Sequence, residues 1–380
     1  MSLLDLLIAL LLSRILTVLL ENVGIASIVA YIISGYILSK SVLGVLNDID
    51  TTLLTLSLIT LFFYVGLNVD LRVSRSVAKK SLVMSSSGVL TTIALVGLTT
   101  YLITNDLTTS LIASIALSNT ATEVILLVIS SRELSNELFR EVLITSSFID
   151  DLLVLFLVAM LGLLKGGVPV IPYLIKHIVF ALVIISLGYV ISKLLSSKLL
   201  SSRVIINIAM LMLFSTTLTA YLLGVDLAFT AYFTGISLGI LRFSRDPMLV
   251  NIVRLNDLVS YLSEVLDMIL IPIFFLYVGI NMNLNYVVSY SFIAVFTSAF
   301  LGKFIGCSLP YVVWGESFKG LVYGILMNAR GSLESVAAVL ALNYGLIRGD
   351  IYSIIITTSI TSSLTVSLIV RLLRRYLRVI

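Results

Sequence analysis

The sequence is poor in the residues that soluble and catalytic proteins rely on. Only 12% of its 380 residues are charged, and it holds five prolines, one tryptophan, one cysteine and one histidine. About a quarter of an ordinary soluble domain is charged, so this shortage excludes a normal aqueous surface. A lone Cys307 excludes an internal disulfide and a cysteine-based metal cluster. No phosphate-binding loop, metal-ligand cluster or catalytic triad is visible, so neither an enzyme nor a cofactor is expected. His177 is read as a surface residue of the loop before the seventh helix, which leaves any pH response to buried carboxylates and a buried lysine.

What fills the chain instead is apolar, 59% of all residues, in runs of 18 or more that recur from end to end. This pattern predicts an all-α polytopic membrane protein, multi-pass in the cell membrane with the lipid bilayer as its solvent. Thirteen spans are expected at about 3-20, 24-40, 51-69, 81-103, 107-131, 137-164, 171-195, 204-224, 226-241, 263-281, 286-314, 317-344 and 349-376. The first carries Asp5 and Arg14 and lacks a small-residue cleavage site, so it reads as a true span, not a removable signal. The net charge of +4 does not point to nucleic acid, because Lys and Arg sit between the apolar runs. Seventeen of the 24 follow odd-numbered spans and only four follow even-numbered ones, which predicts an outside N-terminus and a cytoplasmic C-terminus. The other three, Arg14, Lys303 and Arg330, lie within spans.

The chain repeats itself. Phe62-Phe63-Tyr64-Val65-Gly66-Leu67-Asn68-Val69-Asp70-Leu71 matches Phe275-Leu276-Tyr277-Val278-Gly279-Ile280-Asn281-Met282-Asn283-Leu284 at six of ten positions, 213 residues apart. The copies end the third and tenth spans, seven apart, so they should run in opposite directions. That is an inverted-topology repeat, which places a binding site near the bilayer midplane. The repeats are expected at about 1-165 and 204-376, joined by the helix at 171-195. At this spacing, Ser118-Asn119-Thr120-Ala121-Thr122-Glu123 in the fifth span corresponds to the stretch from Met327 to Glu334 in the twelfth, with Asn328, Arg330 and Gly331. Polar side chains and glycine at membrane depth suit broken helices, whose freed backbone groups need partners other than lipid. Both spans are therefore expected to be discontinuous and to cross. Ser118 and Thr122 could equally bond back to their own helix.

Asp150 and Asp151 stand side by side in the middle of the sixth span, and Lys303 lies at similar depth in the eleventh. Each ionised group at the bilayer centre costs at least about 2.5 kcal/mol, so the lysine should pair with a carboxylate. Two acids for one lysine leave a carboxylate to hold either a cation or a proton, and competition for one site produces exchange. A gated channel or an intramembrane aspartyl hydrolase would also use buried acids. The channel needs neither the lysine nor an inverted repeat, and the hydrolase normally takes its two aspartates from facing helices.

Val29 to Leu38 with Ser41-Val42-Leu43-Gly44, the Phe62 to Leu71 motif, Leu117 to Ala121, Asp150-Asp151, Pro272 to Leu284, Lys303 and Asn328-Ala329-Arg330-Gly331 with Glu334 resemble, in order, the monovalent cation/proton antiporter superfamily. The branch is the one holding NapA-type sodium/proton antiporters and Kef-type potassium transporters. The resemblance implies a homodimer exchanging Na+ (or Li+ or K+) for H+ by elevator-like alternating access. Potassium/proton exchange on the same fold is the alternative. Asp151 matches the main ion and proton site, and Asp150 the acid linked to charge-moving exchange, with Lys303 as its partner. Thr120 matches the crossover threonine, while Asn119, Glu123, Asn328, Arg330 and Glu334 support the crossing helices. Glu123 stands where an apolar residue is usual, which leaves the ions or protons per cycle open. The resemblance also divides the chain. A core of about 81-164 and 286-344 with flanking helices at 51-71 and 263-284 faces a dimerisation part of about 1-40 and 204-241. Kef-type members carry a cytosolic nucleotide-sensing domain, and that regulation is expected to be absent.

Overall fold

The computed structural model describes residues 3–21, 27–39, 42–44, 51–69, 73–122, 125, 136–160, 163, 169–196, 201–243, 250–286 and 289–377, and these are organised as helices. They are α1 (Leu3–Glu21), α2 (Ser27–Leu38), α3 (Thr51–Leu67), α4 (Arg75–Thr104), α5 (Leu107–Ala116), α6 (Glu137–Ala159), α7 (Val170–Ser196), α8 (Ser202–Leu223), α9 (Leu227–Phe243), α10 (Val250–Val265), α11 (Ile271–Ile280), α12 (Tyr290–Val313), α13 (Ser317–Leu326), α14 (Ser332–Asn343) and α15 (Gly349–Leu377). Among the described residues, seven helices are long and apolar enough to cross a membrane, with six shorter apolar helices beside them.

Most helices lie within a few residues of the expected spans, and two begin earlier for a visible reason. α4 starts at Arg75, where the Ser74 side chain accepts the Val77 N–H, so its basic first turns precede the apolar run. The tenth span is the second half of a longer helix that begins at Val250, in a stretch carrying Asn251, Arg254 and Asp257. α10 passes into α11 through a π-helical turn, Leu266–Leu270. Pro272 has no N–H to return to this turn, so carbonyls there need outside donors. Arg14 supplies them, donating to Asp267 O at 2.5 Å and Met268 O at 2.7 Å. A cation inside the first span is thus accounted for by a proline more than 250 residues away.

Two glycine crossings knit the halves of the sequence together. A Cβ on Gly35 of α2 would collide with the Leu276 carbonyl of α11, and one on Gly279 with the Ile32 carbonyl. In the same way Gly66 of α3 faces the Tyr232 carbonyl of α9, and Gly235 faces Phe63. Small residues bring helix backbones together where lipid offers no hydrophobic drive. Each copy of the repeated motif therefore packs on the second helix of the other half. The copies also share a local bond: Asn68 donates to Tyr64 O at 2.9 Å, and Asn281 to Tyr277 O at 3.0 Å. Around these crossings gather α1, α8 and α10, while α4 packs along α12 and, with α5, α6, α13, α14 and α15, forms the other side of the molecule.

His177 corrects its sequence reading. It lies inside α7, as the expected span of 171-195 already has it, and it is fully buried because its ring is held between Tyr173 and Phe229. Nδ1 lies 2.9 Å from Tyr173 O and Nε2 accepts the Asp226 N–H at 3.3 Å, an arrangement that requires the neutral ring with its proton on Nδ1.

A candidate ion site at two crossing helix breaks

α5 ends at Ala116, and residues 117–121 are not helical. α13 ends at Leu326, and α14 begins at Ser332 after an equal break of 327–331. The unwound segments touch: Ala121 N–H donates to Ala329 O at 2.9 Å, and the Thr120 hydroxyl lies 2.7 Å from Met327 O. Breaking a helix exposes carbonyls at the end of its first half, where the helix dipole is negative. Two buried cations meet them at α5. Lys303 donates to Ser118 O at 2.6 Å, and the Arg330 guanidinium donates to Leu117 O and, at 3.1 Å, to Ala299 O. At the positive start of α14 the Glu334 carboxylate accepts the Gly331 N–H at 2.9 Å. Asn328 also serves the break: its side-chain amide donates to Gly324 O and its backbone carbonyl accepts from Ser362.

Asp150 and Asp151 project from α6 about 100° apart, so neighbours in sequence meet different surroundings. Asp150 is fully buried and its oxygens are crowded with donors. Ser85 bonds Oδ1 at 2.5 Å, while Thr120 at 2.6 Å and Lys303 at 2.5 Å meet Oδ2. Lys303 reaches it because Gly302 lets α12 lie against the backbone of Thr92 on α4. Thr120 has one hydroxyl proton for two acceptors. With Asp150 ionised, that proton goes to the carboxylate. A protonated Asp150 would instead donate to Thr120, which would then donate to Met327 O.

Asp151 meets neutral donors in the bonds seen here, Asn119 Nδ2 at 3.1 Å and Thr122 Oγ1 at 2.8 Å. It also lines a cavity of about 170 Å3 between the broken helices and α3 and α9. Leu61 and Tyr64 of α3, Asn68 just after it, Tyr232 of α9 and Ser332 at the start of α14 share the wall.

The structure thus gathers Asp150, Asp151, Lys303, Thr120, Asn119, Asn328, Arg330 and Glu334 around one crossing. Glu123 lies outside the described residues. Three neighbours were not singled out from sequence. Ser85 sits in a serine run on α4 that breaks an otherwise apolar pattern, which was the available signal. Thr122 was weighed as a possible back-bonding residue, yet it donates to Asp151. Tyr232 looks like ordinary packing in an apolar helix, and nothing local marks it.

No curated protein sequence matches the chain. Among solved structures, it is similar to the sodium proton antiporter MjNhaP1 from Methanocaldococcus jannaschii at pH 8. The TM-score is 0.74 at 17% identity, covering 98% of this chain and 95% of that one. A second structure of the same antiporter, an electron-microscopy map, gives a TM-score of 0.73 at 18% identity, covering 99% and 97%. At these identities the likeness shows the fold. The family described as "Sodium/hydrogen exchanger, transmembrane" matches residues 6–374. With that match over almost its whole length, the chain belongs to the sodium/hydrogen exchanger family of multi-pass membrane transporters, and it is not an enzyme.

Proposed function

We propose that the protein exchanges Na+ for H+ at Asp151 by alternating access, with net charge moved in each cycle. The carrying observation is the contrast between the two aspartates. Asp150 is enclosed by Ser85, Thr120 and Lys303, whereas Asp151 borders a cavity large enough for a hydrated cation. A carboxylate with neutral oxygen and amide neighbours suits a hard cation, which takes oxygen ligands, and the same carboxylate can carry a proton back. Because one group serves both ions, neither is bound without releasing the other. Asp150 is the charge-linked acid, paired with Lys303 and adjacent to the carboxylate that fills and empties.

The moving part is the core of about 81–164 and 286–344, which carries both breaks and both aspartates. It slides elevator-fashion against a part of about 1–40 and 204–241 that also forms the homodimer. The flanking segments 51-71 and 263-284, grouped with the core on sequence, go with this second part, because the glycine crossings fasten α3 to α9 and α11 to α2. The thirteen-span topology, with the N-terminus outside and the C-terminus cytoplasmic, follows the distribution of Lys and Arg. The deciding measurement is proton flux in proteoliposomes under Na+, Li+ or K+ gradients, at zero and at clamped membrane potential. Na+-driven proton movement that responds to voltage is the expected result. Voltage insensitivity would remove the electrogenic step, and K+ preference would change the cargo.

A further inference from the structure

Tyr232 lines the Asp151 cavity with a phenol that the exchange scheme does not use. The residue is 1% exposed, and its hydroxyl has no hydrogen-bond partner among the described residues. A buried hydroxyl left unsatisfied is destabilising, so its position calls for a ligand. That position is built, not incidental. Gly66 of α3 and Gly235 of α9 let the two backbones touch at the Tyr232 carbonyl, which fixes where the ring leaves α9. The ring then lines the same cavity as Asp151 and Thr122, and the phenol lies within electrostatic reach of the Asp151 carboxylate.

We propose that the Tyr232 hydroxyl is an oxygen ligand of the cation bound at Asp151, contributed across the cavity by the part of the molecule that does not carry the aspartates. Both Asp151 oxygens already accept hydrogen bonds, from Asn119 and Thr122, so the carboxylate alone offers a cation few free lone pairs. A neutral phenol oxygen adds a ligand without adding charge, leaving the competition between cation and proton at the carboxylate intact. It is also an oxygen that a proton on Asp151 does not need. The hydroxyl should therefore favour the cation-loaded state over the protonated one.

This inference rests on the exchange reading above, and one experiment separates the two. Wild type, Tyr232→Phe and, as a neighbour that does not line the cavity, Phe233→Leu are purified, and their thermal unfolding is followed with and without NaCl. Na+-driven proton flux is then measured in proteoliposomes. For Tyr232→Phe, the expected result is an about three- to tenfold rise in the KM for Na+ with kcat retained, and a smaller stabilisation by Na+ at equal concentration. Phe233→Leu should keep the wild-type KM. An unchanged KM and unchanged Na+ stabilisation in Tyr232→Phe overturn the proposal. So does failure of that variant to fold, which would make the hydroxyl a structural requirement. If wild type itself shows neither Na+-driven flux nor Na+ stabilisation, it is the exchange reading that fails.

Discussion

Asp150 and Asp151 are joined by one peptide bond and live in different solvents. Asp150 meets an ammonium group and two hydroxyls in a space closed to water, while Asp151 meets an amide and one hydroxyl at the edge of a cavity. One acid is saturated with donors, and the other borders open space. The lesson is that the distinction comes from helix rotation and from what the two broken spans present, not from the residues themselves.

The largest expected effect is at Asp151. Asp151→Asn keeps size and hydrogen bonding but removes the carboxylate charge that borders the cavity. It should abolish Na+-dependent proton flux in proteoliposomes while the protein remains folded, and full activity would erase the contrast between the two acids. Next comes Lys303→Met, which strands Asp150 as an unpaired buried charge. Breaking a buried pair from one side costs about 3–5 kcal/mol, so thermal unfolding in detergent should fall markedly. The double variant with Asp150→Asn should recover most of the loss, and a strictly additive loss would show that the two do not act as a pair.

Smaller effects sharpen the comparison. Thr122→Val removes one donor to Asp151 and should weaken apparent Na+ affinity by about fivefold, the equivalent of about 1 kcal/mol, with little change in stability. Thr120→Val on the Asp150 side should do the reverse, lowering the unfolding temperature more than the affinity. The smallest effect lies away from the site. Glu316, before α13, bonds Lys319 at 2.7 Å and Lys80 at 3.1 Å, and these lysines hold its carboxyl below the usual carboxylate value. A depressed acid contributes stability above its unfolded pKa and loses it as pH falls through its folded one. Wild type should therefore lose slightly more stability than Glu316→Gln on acidification below the ordinary carboxylate range. The exposure of the pair keeps this difference small.

The sequence was legible where a residue clashed with lipid. Polar centres at 118–123 and 327–334 announced broken helices, and the similar depth of Lys303 and the aspartate pair announced a buried ion pair, which is made with Asp150. It was illegible where the explanation lay on a distant segment. Arg14 makes sense only beside the proline-loosened turn at Leu266–Leu270, and Tyr232 only beside the cavity that α3 and the core complete. His177 was misjudged because nearness to a span end says nothing of whether the 224–226 loop folds over it. Thr122 was ambiguous because a threonine hydroxyl has a ready partner one turn back in any helix, and only the nearby carboxylate decides otherwise.

The glycine crossings also set a timetable for synthesis. Gly66 waits for Gly235, and Gly35 for Gly279, roughly 170 and 240 residues later in the chain. At about 5–20 residues per second the early helices spend about ten to fifty seconds in the bilayer before their partners leave the ribosome. Throughout that interval their narrow glycine faces are open to lipid or to any other helix that passes. Assembly is therefore obliged to be late, and a ribosome stalled before residue 235 would release a chain with neither crossing closed.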